Sequence, residues 1–302
     1  MNRRIVAILA VLAVLGLPGS AMAWGAAMHV NLASDLLGQL QLLPAATAAI
    51  LIRHRRDYLF GNIAADVVLA KKWSRVRQFC HHWGTGLAML AEARNHQGRA
   101  FALGYLSHLA ADTVSHNKFL PRQMTMTRTT LSLGHLYWEM RADSMVAPRY
   151  WEELRRLLRE VFDEHEACLQ ARFKNTFLPF TANWRVFYRL NRFLGQKMWR
   201  KTLDRWYNLS RWRLSESMLN SYRAECLERM RDVVARPRDS ELLREDPNGN
   251  AALAYTKAQR RQLRQMARAG LVAPHVLYEA AVGHAPAPAR GVRHRVRSAH
   301  ES

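Results

Sequence analysis

An all-helical chain is what this sequence predicts, and three observations support it. Apolar residues recur at helical spacing along most of its 302 residues. No run alternates apolar and polar residues as a half-buried strand would. Pro44, Pro121, Pro148 and Pro237 fall at the ends of the periodic stretches, where proline stops a helix.

The first residues read as a leader. Arg3 and Arg4 supply a positive start, Ile5 to Leu17 is apolar but short for a membrane span, and Pro18, Gly19 and Ser20 break it before Ala21-Met22-Ala23. The pattern predicts a signal peptide over 1–23, cleaved after Ala23, and an exported product, periplasmic or secreted. An uncleaved anchor is the alternative, and it would leave Trp24 inside a continuous chain. No cysteine marks the cleavage point for lipid attachment, and no later stretch is apolar enough to span a bilayer.

From there the helical pattern is predicted over Leu32–Leu43, over Ala45–Tyr58 beyond Pro44, and over Leu87–Ala93. Phe101–His116 reads as a helix of small and apolar residues ending before Pro121, followed by a polar loop, Arg122–Thr130. Leu133–Val146 is a further helix, closed by Pro148. Trp151–Phe173, Trp184–Tyr207 and Leu214–Ala235 read as long amphipathic helices rich in arginine and tryptophan. After Arg236 the composition shifts. A basic helix, Thr256–Ala269, stops at Gly270, and the Ala/Pro/Arg-rich stretch from His284 is predicted disordered. The expected organisation is a helical domain over 24–235 and a basic, partly disordered, loosely attached tail over 236–302.

Forty-five Lys and Arg against 24 Asp and Glu give a formal charge of +21, which favours phosphate-bearing partners, an anionic lipid surface or nucleic acid. Cys80, Cys168 and Cys226 do not make a disulfide framework, although one pair could join after export. Trp184, Trp199, Trp206 and Trp212 stand among arginines and lysines. That mixture suits anionic membranes or stacked bases, but such aromatics more commonly pack a core while arginine stems cover the outer face.

The chemistry is concentrated between residues 29 and 139. In GYLSHLAADTVSHNKF, His108, Asp112 and His116 stand four apart and project from one helix face, with successive members roughly 6 Å apart along the axis. Leu106, Leu109, Ala110, Ala111 and Val114 surround them, so three ionisable groups share a helix with little other polar surface, a costly arrangement without partners. His135 and Glu139 repeat the spacing. Alone they could form an ordinary surface ion pair, and a lone buried histidine is usually only hydrogen-bonded. Asp66 follows a Gly-Asn turn, and the adjacent His81 and His82 lie shortly after it. Imidazole and carboxylate ligands without cysteine suit zinc in a hydrolytic site, where bound water is acidified to a pKa near 7.

The ordered set Trp24, His29, Asp66, His81, His108, Asp112, His116, His135 and Glu139 resembles the zinc-dependent phospholipase C family, which shares its all-helical trizinc fold with the fungal-type single-strand nucleases. The resemblance implies three zinc ions. Asp66, His81, His108 and Asp112 would hold the first; the free amino group and carbonyl of Trp24, with His29 and Asp112, the second; His116, His135 and Glu139 the third. Asp112 would bridge the first two, and Asp66 would act as general base. His82 competes with His81, because the His-His pair aligns either way. The implied activity is hydrolysis of phospholipid head-group phosphodiesters by hydroxide on zinc. The short Trp24–His29 interval is more like the nucleases, whereas Glu139 is as in the phospholipases. The interval from Asp112 to His116 is shorter than in either group. Single-strand nuclease activity, or a non-catalytic zinc-containing binding module, are therefore the alternatives.

Overall fold

The computed structural model describes residues 24–68, 80–127, 131–173, 178–210 and 212–270; the leader and the stretch from His284 lie outside them. Among the described residues there is no strand, and the architecture is all-α as expected. The helices are α1 (Ala26–Leu37), α2 (Ala45–Arg53), α3 (Arg55–Ala64), α4 (Trp83–Glu92), α5 (His96–Val114), α6 (Leu120–Met126), α7 (Leu131–Ser144), α8 (Pro148–Leu157), α9 (Asp163–Arg172), α10 (Phe180–Leu194), α11 (Lys197–Leu209), α12 (Glu216–Ala235) and α13 (Asn250–Arg268).

The bundle is built around α5. Its residues are apolar or small on every side, so no face can meet water, and it is buried without interruption from Ala100 to Val114. α3, α4 and α12 pack around it. Two glycines set how closely α3 approaches: a Cβ at Gly61 would fall 2.1 Å from the Phe101 carbonyl oxygen, and one at Gly104 would fall 2.1 Å from that of Tyr58. With both side chains absent the backbones touch. Tyr58 and Ser107 then share a 2.8 Å hydrogen bond, and Asn62 comes within reach of His108.

Several expected boundaries move for local reasons. Pro121 does not close the fifth helix. The chain continues from α5 through a π-helical turn, Ser115–Phe119, into α6, whose first turn holds Pro121 where a missing N–H costs nothing. The polar loop expected from Arg122 is therefore helical as far as Met126. The single helix expected over Trp151–Phe173 is two, because α9 restarts with Asp163, Glu164 and Glu166 in its first turn, where carboxylates favour a helix N-terminus. Likewise α10 stops at Gly195 before α11 begins, and Ala45–Tyr58 breaks at His54.

Beyond Arg236 the described residues do not form the loosely attached tail that composition suggests. The chain from Ser240 onward runs back across the bundle, and α13 packs on α6 and on the π turn. Arg260 donates to the Thr127 carbonyl at 2.8 Å, and Trp83 to that of Glu245 at 2.8 Å. Composition hid this, because the segment's arginines lie beside the few positions that pack. All three cysteines are free. Trp184 and Trp212 pack on the core as expected, whereas Trp206 remains more than half exposed.

Candidate metal centre

Asp112 lies in the last turn of α5 with its side chain fully buried. Its Oδ2 is 3.1 Å from His81 Nε2 and 3.2 Å from His108 Nε2, one helical turn away, while Oδ1 faces His29 Nε2 at 3.4 Å. His81 Nε2 is also 3.3 Å from Asp66 Oδ1 and 3.1 Å from His108 Nε2. All five residues are buried.

Each side chain is aimed by its element. Asp66 follows the turn that ends α3, its amide bonded to the Ile63 carbonyl. His108 donates Nδ1–H to the Asn62 carbonyl at 2.8 Å, which leaves its Nε2 with a bare lone pair pointing at His81. The Tyr105 hydroxyl donates to the Cys80 carbonyl and so anchors the turn that carries His81. The two adjacent histidines divide their work. His81 is turned inward, whereas His82 is exposed, its Nδ1 accepting from Gly84 N at 3.1 Å as the cap of α4. His29 stacks on His108 with centroids 3.9 Å apart.

Lone pairs converge here without enough protons to join them. Neither oxygen of Asp112 and neither ring nitrogen of His29 makes a hydrogen bond. A tetrahedral zinc with bonds of about 2.0–2.1 Å has ligand–ligand edges of roughly 3.3 Å. The three edges of the His81–His108–Asp112 triangle, 3.1–3.2 Å, and the 3.3 Å edge from His81 to Asp66 match that figure, and an imidazole and carboxylate donor set suits the metal. The ligand atoms of two groups, His81–His108–Asp112 and His29–Asp66–His108, lie within 4.8 Å of one another and could hold an ion. Burial alone would raise the Asp112 carboxyl, but nearby His108, with the His29 and His81 nitrogens, holds it well below the ordinary aspartate range. Burial and then His108 lower His29, so its neutral, ligand-competent form is favoured.

The other expected residues stand apart from this cluster. His116 sits in the π turn and His135 on α7, their rings 5.7 Å apart and edge to face, with Glu139 one turn beyond His135. All three are buried, but among the described residues they do not form a third group as close as the first two. Two imidazoles sharing one tetrahedral zinc would have centroids roughly 5 Å apart, so the pair is spaced for a common ion. Trp24 is fully buried, its indole stacked on Phe119 at 4.6 Å, rather than projecting into water.

Sequence reasoning missed two supports. Asp143 extends the four-residue ladder of His135 and Glu139 on α7 and reaches the start of α1: Met28 N donates to Oδ1 at 3.2 Å, and a Cβ at Gly25 would lie 2.0 Å from Oδ2. Burial pushes this carboxyl up to about 7, against the stabilising Met28 and Ala27 amides. The continued spacing was a usable signal. The second support is the Asp-Pro-Asn-Gly-Asn loop before α13. His116 Nδ1 donates to the Pro247 carbonyl at 2.6 Å, Asn248 Nδ2 donates to the His81 carbonyl at 2.8 Å, and Gly249 adopts φ +60° against the His116 backbone. Its turn residues were visible in the sequence, but not where the turn would land.

Comparison with known proteins adds one match. The family described as zinc dependent phospholipase C matches residues 28–185, about half of the chain. No curated protein and no solved structure matches.

Proposed function

The chain belongs to the zinc-dependent phospholipase C family, and on that premise we propose that it is an exported phosphodiesterase that cleaves the head-group phosphodiester of phospholipids. The observation that carries this reading is the convergence of His81, His108 and Asp112 at the edge lengths of a tetrahedral zinc site, with Asp66 3.3 Å from His81 Nε2 and His29 on the far oxygen of Asp112. In this reading Asp66, His81, His108 and Asp112 hold one ion. His29, Asp112 and the main chain of Trp24 hold a second, and His116, His135 and Glu139 a third. Zinc, when bound, supplies Lewis-acid neutralisation of phosphate oxygens and acidifies water near neutral pH.

The chain's own residues do the rest. Asp112 presents one oxygen to each of the two adjacent groups, which suits a bridging carboxylate. Asn62 fixes the His108 tautomer, and the Pro247 carbonyl does the same for His116, so that each Nε2 is the ligating atom. In this reading Asp66, at the edge of the cluster, is the base that takes a proton from the attacking water. The leader pattern supports export, and no helix among the described residues is long and apolar enough to cross a membrane. Cleavage after Ala23 would free the amino group that this reading assigns to the metal.

The test is a side-by-side assay of the mature protein, with its zinc content measured, on phosphatidylcholine, other phospholipids and single-stranded DNA, with and without chelator. Chelator-sensitive lipid cleavage is expected. Cleavage of DNA alone would replace this reading with the nuclease. A protein that takes up no zinc after reconstitution would overturn both.

A further inference from the structure

Helix α11 carries large apolar residues on its outer face as well as its inner one. It buries Leu203 and Tyr207 inward, yet leaves Met198, Trp206 and Leu209 exposed at 66%, 54% and 87%. At roughly 100° per residue these three, with exposed Thr202, fall within about 80° of one another on the outer face. The other large exposed apolar residues are scattered: Leu42, Ile52, Leu133, Val161 and Tyr255 lie on five different segments. Lys201 and Arg205 border the stripe on one side, both exposed, and Asp204, the helix's one acid, lies farther round.

The stripe is fixed relative to the candidate centre. Tyr137 lies on α7 between His135 and Glu139. Its ring meets Trp206 at 5.8 Å, and its hydroxyl is tied to Ser210 Oγ at 2.8 Å and to the Trp212 carbonyl at 2.9 Å. The far end of α11 is thereby pinned to the outside of the helix that carries two of the assigned ligands.

We propose that the outer face of α11 docks the protein onto an anionic lipid bilayer, with Met198, Trp206 and Leu209 entering the head-group boundary and Lys201 and Arg205 meeting lipid phosphates. The inference rests on the phospholipid reading, since the bilayer is where that substrate lies. Charge complementarity selects the occupant. A second copy of a chain with net charge +21 would set one basic border against another, whereas an anionic interface accepts both the apolar stripe and its basic edge. Nucleic acid would use the base-stacking surface of Trp206, but it gives Met198 and Leu209 nothing to do.

The mature protein, chelated to stop turnover, is sedimented with vesicles of phosphatidylcholine alone or with about one-third phosphatidylserine. Binding is expected to the mixed vesicles, falling as salt rises. Met198→Ser combined with Leu209→Ser should lower partitioning at least about tenfold. Lys201→Gln with Arg205→Gln should cost about fivefold per charge, only on anionic vesicles. The tryptophan emission of the chain should shift to the blue on binding, and less so in Trp206→Phe. Wild-type partitioning by the Met198/Leu209 variant overturns the proposal. So does a dimer that the same variant dissolves, or single-stranded DNA binding that it abolishes while vesicle binding persists. The zinc-loaded protein separates this from failure of the activity itself. Docking without hydrolysis of any phospholipid sinks the activity and leaves the surface standing. Hydrolysis of dispersed short-chain phospholipid with no vesicle binding sinks the surface alone.

Discussion

The two parts of the candidate centre are held in different ways. The group around Asp112 is drawn together by the core itself: α3 and α5 touch backbone to backbone at Gly61 and Gly104, and Asn62, Tyr105 and the turn at Cys80 aim the histidines. Its nitrogens and oxygens stand 3.1–3.4 Å apart. His116 and His135 have ring centroids 5.7 Å apart, against 5.0 Å for His81 and His108, and His116 takes its orientation from a loop more than a hundred residues downstream. The first group is set mainly by packing that the fold cannot do without, with one bond from Asn248 of the loop to the His81 carbonyl. The second depends on a latch that can fail while the bundle survives. Stability and metal content should therefore separate between the two.

The largest effect is expected at the residue that serves both adjacent groups. Asp112→Asn keeps the side chain's shape and should barely change helix content by circular dichroism. It should lower phosphodiesterase activity at least about 1,000-fold and release zinc, because the amide cannot present two anionic oxygens. Activity within tenfold of wild type would show that Asp112 does not bridge.

Next in size is the backbone contact that assembles the first group. Gly104→Ala places a methyl 2.1 Å from the Tyr58 carbonyl, where only a helix shift can relieve it. A loss of about 3 kcal/mol or more in denaturant unfolding is expected, together with weaker zinc binding. A variant as stable as wild type would mean that the two helices can separate at little cost, and the preformed character of the first group would go with it.

The latch gives the contrasting case. Gly249→Ala puts a side chain at φ +60° and 2.4 Å from the His116 carbonyl oxygen. It should cost about 1–2 kcal/mol and weaken the zinc proposed at His116, His135 and Glu139 about 10–100-fold, as loss of an outer hydrogen-bonding partner does. The other ions should remain, as counted by equilibrium dialysis. Loss of all bound zinc together would merge the two parts into one unit.

The same division sets what was legible beforehand. The four-residue spacing of His108, Asp112 and His116 and the burial of their neighbours point to one ligand-bearing face, and the structure puts His108 and Asp112 there. The π turn starting at Ser115 was not legible, since nothing in SHNKF announces a wider turn. Nor was the choice between His81 and His82, which depends on the cap that His82 makes with Gly84. The latch was the largest miss. Its residues carry ordinary turn signals, but the contact joins positions 116 and 247, and periodicity within a helix holds no information about such a pairing. Composition misled as well: basic residues past Arg236 suggested a loose tail, although exposed arginines are compatible with a helix docked by a few positions such as Thr256 and Leu263.

The smallest effect tests whether the latch is closed by its own aspartate. Asp246 accepts from the amides of Asn248 and Asn250 at 2.9 and 3.0 Å, and from both their side chains at 3.1 and 2.7 Å. Burial would raise this carboxyl, but those hydrogen bonds outweigh it and hold it below the ordinary aspartate value. A depressed folded pKa contributes stability above the unfolded value, near 4, and loses it as pH falls through the lower folded one. In chelated protein, wild type should therefore exceed Asp246→Asn in stability at pH 6 by less than about 1 kcal/mol, because the group is partly exposed and screened. The gap should close on acidification below pH 4, with the Asn248 and Asn250 amides losing protection from hydrogen exchange over the same range. A gap that is constant from pH 6 to pH 3 would show that the loop is held by Pro247 and Asn248 alone. The second group would then share the packing-defined character of the first.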